Sequence, residues 1–180
     1  MPEKAPDVFQ VVLQCTNGDV VIECHREWAP LGVERFYELV KLGFYTDIRI
    51  FRVVEGFIAQ FGISGDPKLS DKWANDNILD DPVRESNVRG TVTFATSGRN
   101  SRTTQIFINY GDNRRLDSMG FAPFGKVVSG MDVADKFYSG YGEKLSRLQN
   151  AIESTGNGVL DSQFPNLDSI KKAEFVKLNQ

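Results

Sequence analysis

The N-terminal part of the chain shows the hydrophobic pattern and turn signal of a β-hairpin. Positions Val8–Leu13 are apolar apart from Gln10, which predicts a strand. The dipeptide Asn17-Gly18 is typical of tight hairpin turns, and a second apolar run, Val20–Ile22, follows it. The pattern therefore predicts two antiparallel strands joined by a two-residue turn at Asn17-Gly18.

Helical spacing follows the hairpin. Four apolar side chains recur at i, i+3, i+4 and i+7, which places them on one face of a helix. These are Val33, Phe36, Tyr37 and Val40. Pro30 is suited to a first helical turn, and Gly43 is suited to ending the helix. The spacing predicts a helix from Pro30 to about Leu42.

Short apolar runs continue through the rest of the chain and predict further strands. Residues 62–89 and 139–167 have little periodicity and many Gly, Asp, Asn and Ser residues, which predicts two long loops. Met131–Tyr138 predicts a second, shorter helix. The additional strands are predicted at 48–54, 57–61, 91–95, 105–109, 124–128 and 170–176. Together these elements predict a mainly β fold, a closed antiparallel β-barrel of about eight strands capped by two α-helices.

Composition narrows the function classes. The formal net charge of −3 gives no electrostatic reason to expect nucleic-acid binding. No apolar stretch approaches the length of a membrane span, so we expect no membrane association. Met1–Lys4 introduces no long apolar run, and we therefore expect no signal peptide and a cytoplasmic location. The 13 Phe residues, against 2 Trp and 5 Tyr, favour an aromatic core and a dry pocket.

Cysteine and histidine contents exclude several chemistries. The two cysteines, Cys15 and Cys24, flank the predicted hairpin without facing each other, so we expect free buried thiols rather than a disulfide. His25 is the single histidine, which leaves no His-based metal cluster and makes a Ser-His-Asp triad improbable. We expect neither a metal nor a cofactor.

Three segments combine polar side chains with apolar strands. They are 51–62, 89–108 and 115–127. By strand alternation Arg52 shares a face with Val54, and Ile58 shares a face with Gln60. Taken singly, each segment is also typical of a barrel-core strand followed by a turn. In the first segment, this interpretation would place Arg52 on the solvent-facing side of its strand.

In their order and spacing, the three segments together resemble the cyclophilin family of peptidyl-prolyl cis-trans isomerases. The block F-x-R-V-V-x-x-F-x-x-Q-G-G is closely matched at 51–62, although Phe61 replaces one glycine. The R-G-x-x-x-M-A block is matched with Phe94 in place of Met, and the S-Q-F-F-I block is matched by 104–108. The family's L-D and F-G-x-V motifs are matched within 116–127. The resemblance covers roughly residues 8–138.

The resemblance implies one isomerase domain over residues 1–180, acting on proline-containing peptides and assisting protein folding. It implies that Arg52 is the catalytic arginine and that Gln60 holds the substrate backbone and orients this arginine. The implied substrate-binding residues are Phe57, Ile58, Phe107 and Leu116 in a proline pocket, Ala95, Thr96 and Gln105 in the adjoining groove, and Phe121 at the pocket rim.

Departures from the family pattern lie around the implied pocket. Arg115 stands where many cyclosporin-sensitive members have Trp, so we expect weakened cyclosporin binding. With Phe121 and Thr96, Arg115 also supports an alternative hypothesis, in which the barrel is a non-catalytic proline-peptide binding module or scaffold. We expect a monomer in either case.

Overall fold

A computed structural model describes residues 5–176. The two ends of the predicted 1–180 domain lie outside the described residues, and so does the Met1–Lys4 segment on which the expectation of no signal peptide rests. The strands are β1 Val8–Cys15, β2 Gly18–His25, β3 Ile48–Arg49, β4 Arg52–Val54, β5 Ile58–Phe61, β6 Thr91–Phe94, β7 Ile106–Asn109, β8 Pro123–Ser129 and β9 Ser169–Phe175. The α-helices are α1 Pro30–Lys41, α2 Pro67–Trp73, α3 Met131–Ala134, α4 Gln149–Thr155 and α5 Asn157–Gln163, with 3-10 turns at Arg114–Met119 and Lys144–Leu148.

The nine strands form one antiparallel sheet in the order β3-β9-β1-β2-β8-β6-β7-β5-β4. Its two edge strands, β3 and β4, follow each other in the chain. Because Arg49 and Arg52 are three residues apart, the two edges lie within about 11 Å of each other. The sheet is therefore strongly curled, and the chain itself links its edges. The predicted mainly antiparallel β fold is confirmed, with nine strands rather than about eight.

The β1–β2 hairpin forms with a different turn from the one predicted. Cys15 pairs with Gly18, so the loop residues are Thr16 and Asn17 rather than Asn17 and Gly18. Gly18 has a φ of 138°, a backbone conformation that side chains other than hydrogen disfavour. Cys24 pairs with Phe9, so the two thiols are well separated, and both are free and buried, as expected.

Helix α1 spans Pro30–Lys41, which confirms the predicted helix. Pro30 occupies its first turn, and Gly43 follows its end with a φ of 74°. Its buried face covers the sheet, where the Phe36 ring lies 5.1 Å from the Phe124 ring. This contact belongs to the main hydrophobic core, which fills the space between α1 and the curled sheet.

The helical content differs from the prediction of two helices. The predicted loop 62–89 contains α2, and the predicted loop 139–167 contains a 3-10 turn, α4 and α5. The predicted helix Met131–Tyr138 is shorter, since α3 ends at Ala134. The additional helices in 139–167 form because they bury a second apolar cluster, in which Leu145, Ile152 and Leu160 contact Phe51 and Ile63. Within residues 5–176, no helix is long and apolar enough to cross a membrane.

Candidate active site

A cavity of about 590 Å³ opens beside strands β4, β5 and β7. All ten residues that the sequence assigns to a site line this one cavity. They are Arg52, Phe57, Ile58, Gln60, Ala95, Thr96, Gln105, Phe107, Leu116 and Phe121. The structure thus brings together side chains from three separate sequence segments, while their individual roles stay predictions.

One end of the cavity is an apolar hollow. Ile58, Phe107 and Leu116 are buried there in a cluster separate from the main core, and Phe57 and Phe121 pack against it. The Phe107 and Phe121 rings meet edge to face at 5.7 Å. Strands β5 and β7 supply the floor of the hollow, and the 3-10 turn Arg114–Met119 supplies its wall. An aromatic hollow of this kind suits a small apolar ring.

The guanidinium of Arg52 lies at the edge of this hollow. Strand pairing places Arg52 directly opposite Gln60. Arg52 Nη1 donates to Gln60 Oε1 at 2.9 Å, and Gln60 Nε2 donates to Gln105 Oε1 at 2.8 Å. Gln105 Nε2 in turn lies 3.3 Å from Gln149 Oε1 on α4. A chain of side-chain amides therefore runs from the guanidinium along the cavity to α4.

A carboxylate that sequence reasoning missed also holds the guanidinium. Arg52 Nε donates to Glu143 Oε1 at 2.6 Å, and Arg52 Nη2 donates to Glu143 Oε2 at 3.0 Å. Three of the five donor hydrogens of Arg52 are thus engaged by Glu143 and Gln60. One hydrogen on Nη1 and one on Nη2 have no partner among the described residues and can be donated to a ligand. Glu143 gives no motif signal in the sequence, because it is an exposed side chain in a glycine-rich segment.

The wall of the hollow is anchored by Asn87, which the sequence analysis also missed. Asn87 is fully buried and donates from its backbone N–H and its side-chain amide to Asp117 Oδ1, at 2.9 and 2.8 Å. Its amide also donates to the Phe121 carbonyl at 2.9 Å. Although desolvation opposes the shift, the two hydrogen bonds from Asn87, with one from Ser86, lower the pKa of Asp117. Asn87 therefore fixes the turn that carries Leu116.

Arg115 lies on the outer side of the pocket wall. Its guanidinium carbon is 5.1 Å from the centroid of the Phe57 ring, while that of Arg52 is 5.8 Å from the same ring. Both distances are within the range of a cation–π contact. Phe57 is thus contacted by two arginines.

The cavity extends beyond the hollow and the amide chain. The additional residues that line it are Ala74, Asn77, Ser97, Ser101, Thr103, Gln149 and Glu153. Within residues 5–176, no group of three or more His, Cys, Asp or Glu side chains is arranged to hold a metal ion. What the described site offers is a fixed cation beside an apolar hollow, which suits binding and polarising a neutral ligand.

Comparison with known proteins identifies similar chains. The family model described as cyclophilin type peptidyl-prolyl cis-trans isomerase/CLD matches residues 10–156. The chain is 39% identical over 149 residues to peptidyl-prolyl cis-trans isomerase A of Dickeya dadantii, covering 78% of this chain and 76% of that protein. It is 34% identical over 135 residues to peptidyl-prolyl cis-trans isomerase B of Escherichia coli, covering 70% and 82%.

Solved structures show the same fold. A crystal structure of a cyclophilin type peptidyl-prolyl cis-trans isomerase from Cryptosporidium parvum superimposes with a TM-score of 0.70 at 20% identity, covering 96% of this chain and 99% of that one. A second crystal structure of that protein, in the presence of the dipeptide Ala-Pro, gives a TM-score of 0.68 and covers 94% and 99%.

Proposed function

The chain belongs to the cyclophilin-type peptidyl-prolyl cis-trans isomerase family, and from that premise we propose that the cavity beside Arg52 is its active site. The observation that carries this proposal is the placement of one guanidinium at the edge of an apolar, ring-sized hollow. The substrate would be an X-Pro peptide bond of a peptide or protein chain.

The energetic demand of the reaction is modest. An X-Pro bond resists rotation because its nitrogen shares a lone pair with the carbonyl group, and unaided rotation takes ~10–100 s at 25 °C. A turnover of about 10 per second requires roughly a thousandfold gain, or about 4 kcal/mol. Rotation breaks no covalent bond, so neither a nucleophile nor a general base is needed.

Arg52 supplies part of this gain by hydrogen bonding to the prolyl nitrogen. In the twisted transition state the nitrogen lone pair is localised and accepts a hydrogen bond, whereas in the planar ground state it is delocalised. A donor aimed at the nitrogen therefore stabilises the transition state selectively, which is the requirement for catalysis. A hydrogen bond to a charged group contributes about 1.5–3 kcal/mol.

The hollow supplies binding and orientation. Ile58, Phe107 and Leu116 would hold the proline ring, and their burial would exclude water from around the guanidinium. Gln60 would fix the Arg52 side chain and bind the substrate backbone. That the related C. parvum protein was crystallised in the presence of Ala-Pro supports a proline peptide as the ligand class.

Arg115 bears on cyclosporin binding. Because an exposed guanidinium occupies the position where many cyclosporin-sensitive relatives have an indole, we propose weak cyclosporin affinity. The variant Arg115→Trp is expected to bind cyclosporin more tightly than the wild type in a calorimetric titration, and unchanged affinity would refute this role. The monomeric state and the cytoplasmic location stay predictions.

The proposed function is tested by measuring the exchange between cis and trans forms of a blocked Ala-Pro peptide by NMR, with and without the protein. Exchange at catalytic concentrations of protein should accelerate. Saturable peptide binding with no acceleration would instead favour the non-catalytic binding module. No binding and no acceleration would show that the cavity does not recognise proline.

A further inference from the structure

The cavity continues from the proposed proline pocket to helix α4. Beyond Gln105, its lining includes Ala74 at the end of α2 and two residues of α4, and these two helices pack together. Glu153 lies on α4, four residues after Gln149. It also lines two smaller hollows that adjoin the main cavity beside Ala74. Its side chain therefore faces this end of the groove.

Within the described part of the chain, the Glu153 carboxylate makes neither a hydrogen bond nor an ion pair. It is only partly exposed, and desolvation by burial raises its pKa. The approach of a cation to an unpaired carboxylate of this kind is therefore favourable.

The charges of the described residues around the groove leave the Glu153 carboxylate uncompensated. Among the described residues that line the cavity, the charged ones are Arg52 and Glu153. Glu143 already pairs with Arg52, so Arg52 contributes little net positive charge to the groove. Asp71 adds a second carboxylate at the adjoining hollow that Glu153 also lines. The neighbouring cation Lys72 lies over the Trp73 ring and does not line either space.

The distance between the proline pocket and Glu153 is one that a side chain of a bound peptide can span. Phe107 and Gln105 are about 7 Å apart along an extended chain, and Glu153 lies about 6 Å along the helix axis from Gln149, the contact of Gln105. An extended peptide advances about 3.3 Å per residue, so two to four residues cover about 7–13 Å. Lysine and arginine add long flexible stems that extend this reach.

We propose that Glu153 makes this isomerase prefer substrates carrying lysine or arginine two to four residues from the proline, on the single side of the proline that faces α4. The inference rests on the proposed function of the cavity. It names a substrate class, basic proline-containing peptides, rather than a different reaction.

The test is a charge scan measured by NMR exchange. The probes are blocked alanine-rich peptides with one central Ala-Pro, carrying a single lysine at each of the four positions before and after the proline. Matched peptides carry glutamine or glutamate at the same positions. For each protein variant, the measured quantity is kcat/KM for the lysine peptide divided by kcat/KM for the glutamine peptide.

In the wild type at low ionic strength, this ratio should be about 5 when the lysine lies on one side of the proline and near one when it lies on the other side. The ratio should decrease as salt is added, because salt screens the attraction between lysine and Glu153. The ratio should fall to near one in Glu153→Gln. In Glu153→Lys the glutamate peptides should become preferred. The matched control Glu38→Gln changes an exposed helical glutamate outside the cavity and should keep the wild-type ratio.

The possible failures are distinguishable. If glutamine peptides are accelerated but no position shows a lysine preference, or if the preference survives in Glu153→Gln, the assignment of Glu153 is overturned while the proposed function stands. If no peptide is accelerated by the wild type, the proposed function itself fails.

Discussion

The ion pair between Glu143 and Arg52 should be required for full activity, although it contributes little to stability. Its side chains are 56% and 22% exposed, so solvent screens their attraction. Exposed pairs of this kind contribute about 0.2–1 kcal/mol to stability. In Glu143→Ala, Arg52 keeps its bond to Gln60 but loses the two bonds that hold Nε and Nη2.

The cost to catalysis comes from the freedom that the guanidinium regains. An arginine side chain carries about 2 kcal/mol of rotamer entropy, and part of it would have to be lost again in the transition state. With the Gln60 bond retained, about 1 kcal/mol is a reasonable share, which corresponds to roughly a fivefold loss in kcat/KM. Glu143→Gln keeps one acceptor oxygen and should lose less, about twofold.

The assay is NMR exchange on a blocked Ala-Pro peptide, with thermal unfolding measured in parallel. Glu174→Ala serves as the matched control, because it removes an exposed ion pair with Lys172 on β9 at 2.6 Å, outside the cavity. Unchanged kcat/KM in Glu143→Ala would refute the positioning role. An increase would show that the Glu143 carboxylate competes with the substrate for Arg52.

Two further predictions concern the framework. Gly62→Ala should lower the free energy of unfolding by about 3 kcal/mol, because the φ of Gly62 is 119° and a new Cβ would overlap the Thr104 carbonyl oxygen. Gly90 has a comparable φ of 91° but open space around it, so Gly90→Ala should cost about 1 kcal/mol. Equal losses for the two variants in chemical denaturation would contradict this prediction. Burial raises the pKa of the Cys15 thiol to about 12 and the pKa of the Cys24 thiol well above its usual value, so neither thiol should react with iodoacetamide at pH 8 until the protein unfolds. Because the thiols of the unfolded chain ionise more readily, the free energy of unfolding should fall as pH rises above about 9. Rapid alkylation of the native protein would refute this prediction.

The hydrophobic pattern of the sequence predicted those helices and strands whose buried side chains recur at a regular spacing. The helix from Pro30 and the first two strands follow from periodicity, because one whole face of each packs on the core. The hairpin turn was misplaced by one residue, since Gly18 serves as a paired strand residue with positive φ rather than as a loop residue. Turn chemistry alone does not distinguish these two uses of glycine.

The helices within 139–167 were not predictable by the same means. Helices α4 and α5 have seven residues each, which is too short to be stable alone or to display two full turns of a pattern. They are held by tertiary contacts of Ile152 and Leu160 with Phe51 and Ile63, residues that are remote in sequence. Such contacts leave no periodic signal in the segment itself.

The site also combines residues that the sequence predicts with residues that only the fold brings together. The residues contributed by sequence motifs, such as Arg52, Gln60 and Phe107, were predicted and line one cavity. Glu143 and Glu153 were missed, because each is one carboxylate in a segment without a motif. Glu143 lies 91 residues from Arg52 in sequence, and only the fold brings the two together.

The central claim is that the Arg52 guanidinium stabilises the twisted X-Pro bond more than the planar one. Its most direct test is kcat/KM for cis-trans exchange of a blocked Ala-Pro peptide in Arg52→Ala and Arg52→Lys, with peptide affinity measured by titration and folding checked by thermal unfolding. Loss of one charged hydrogen bond predicts a roughly ten- to hundredfold drop in Arg52→Ala with peptide affinity nearly unchanged, and a smaller drop in Arg52→Lys. Wild-type exchange rates in a folded Arg52→Ala protein, or a loss due entirely to weaker peptide binding, would contradict the account.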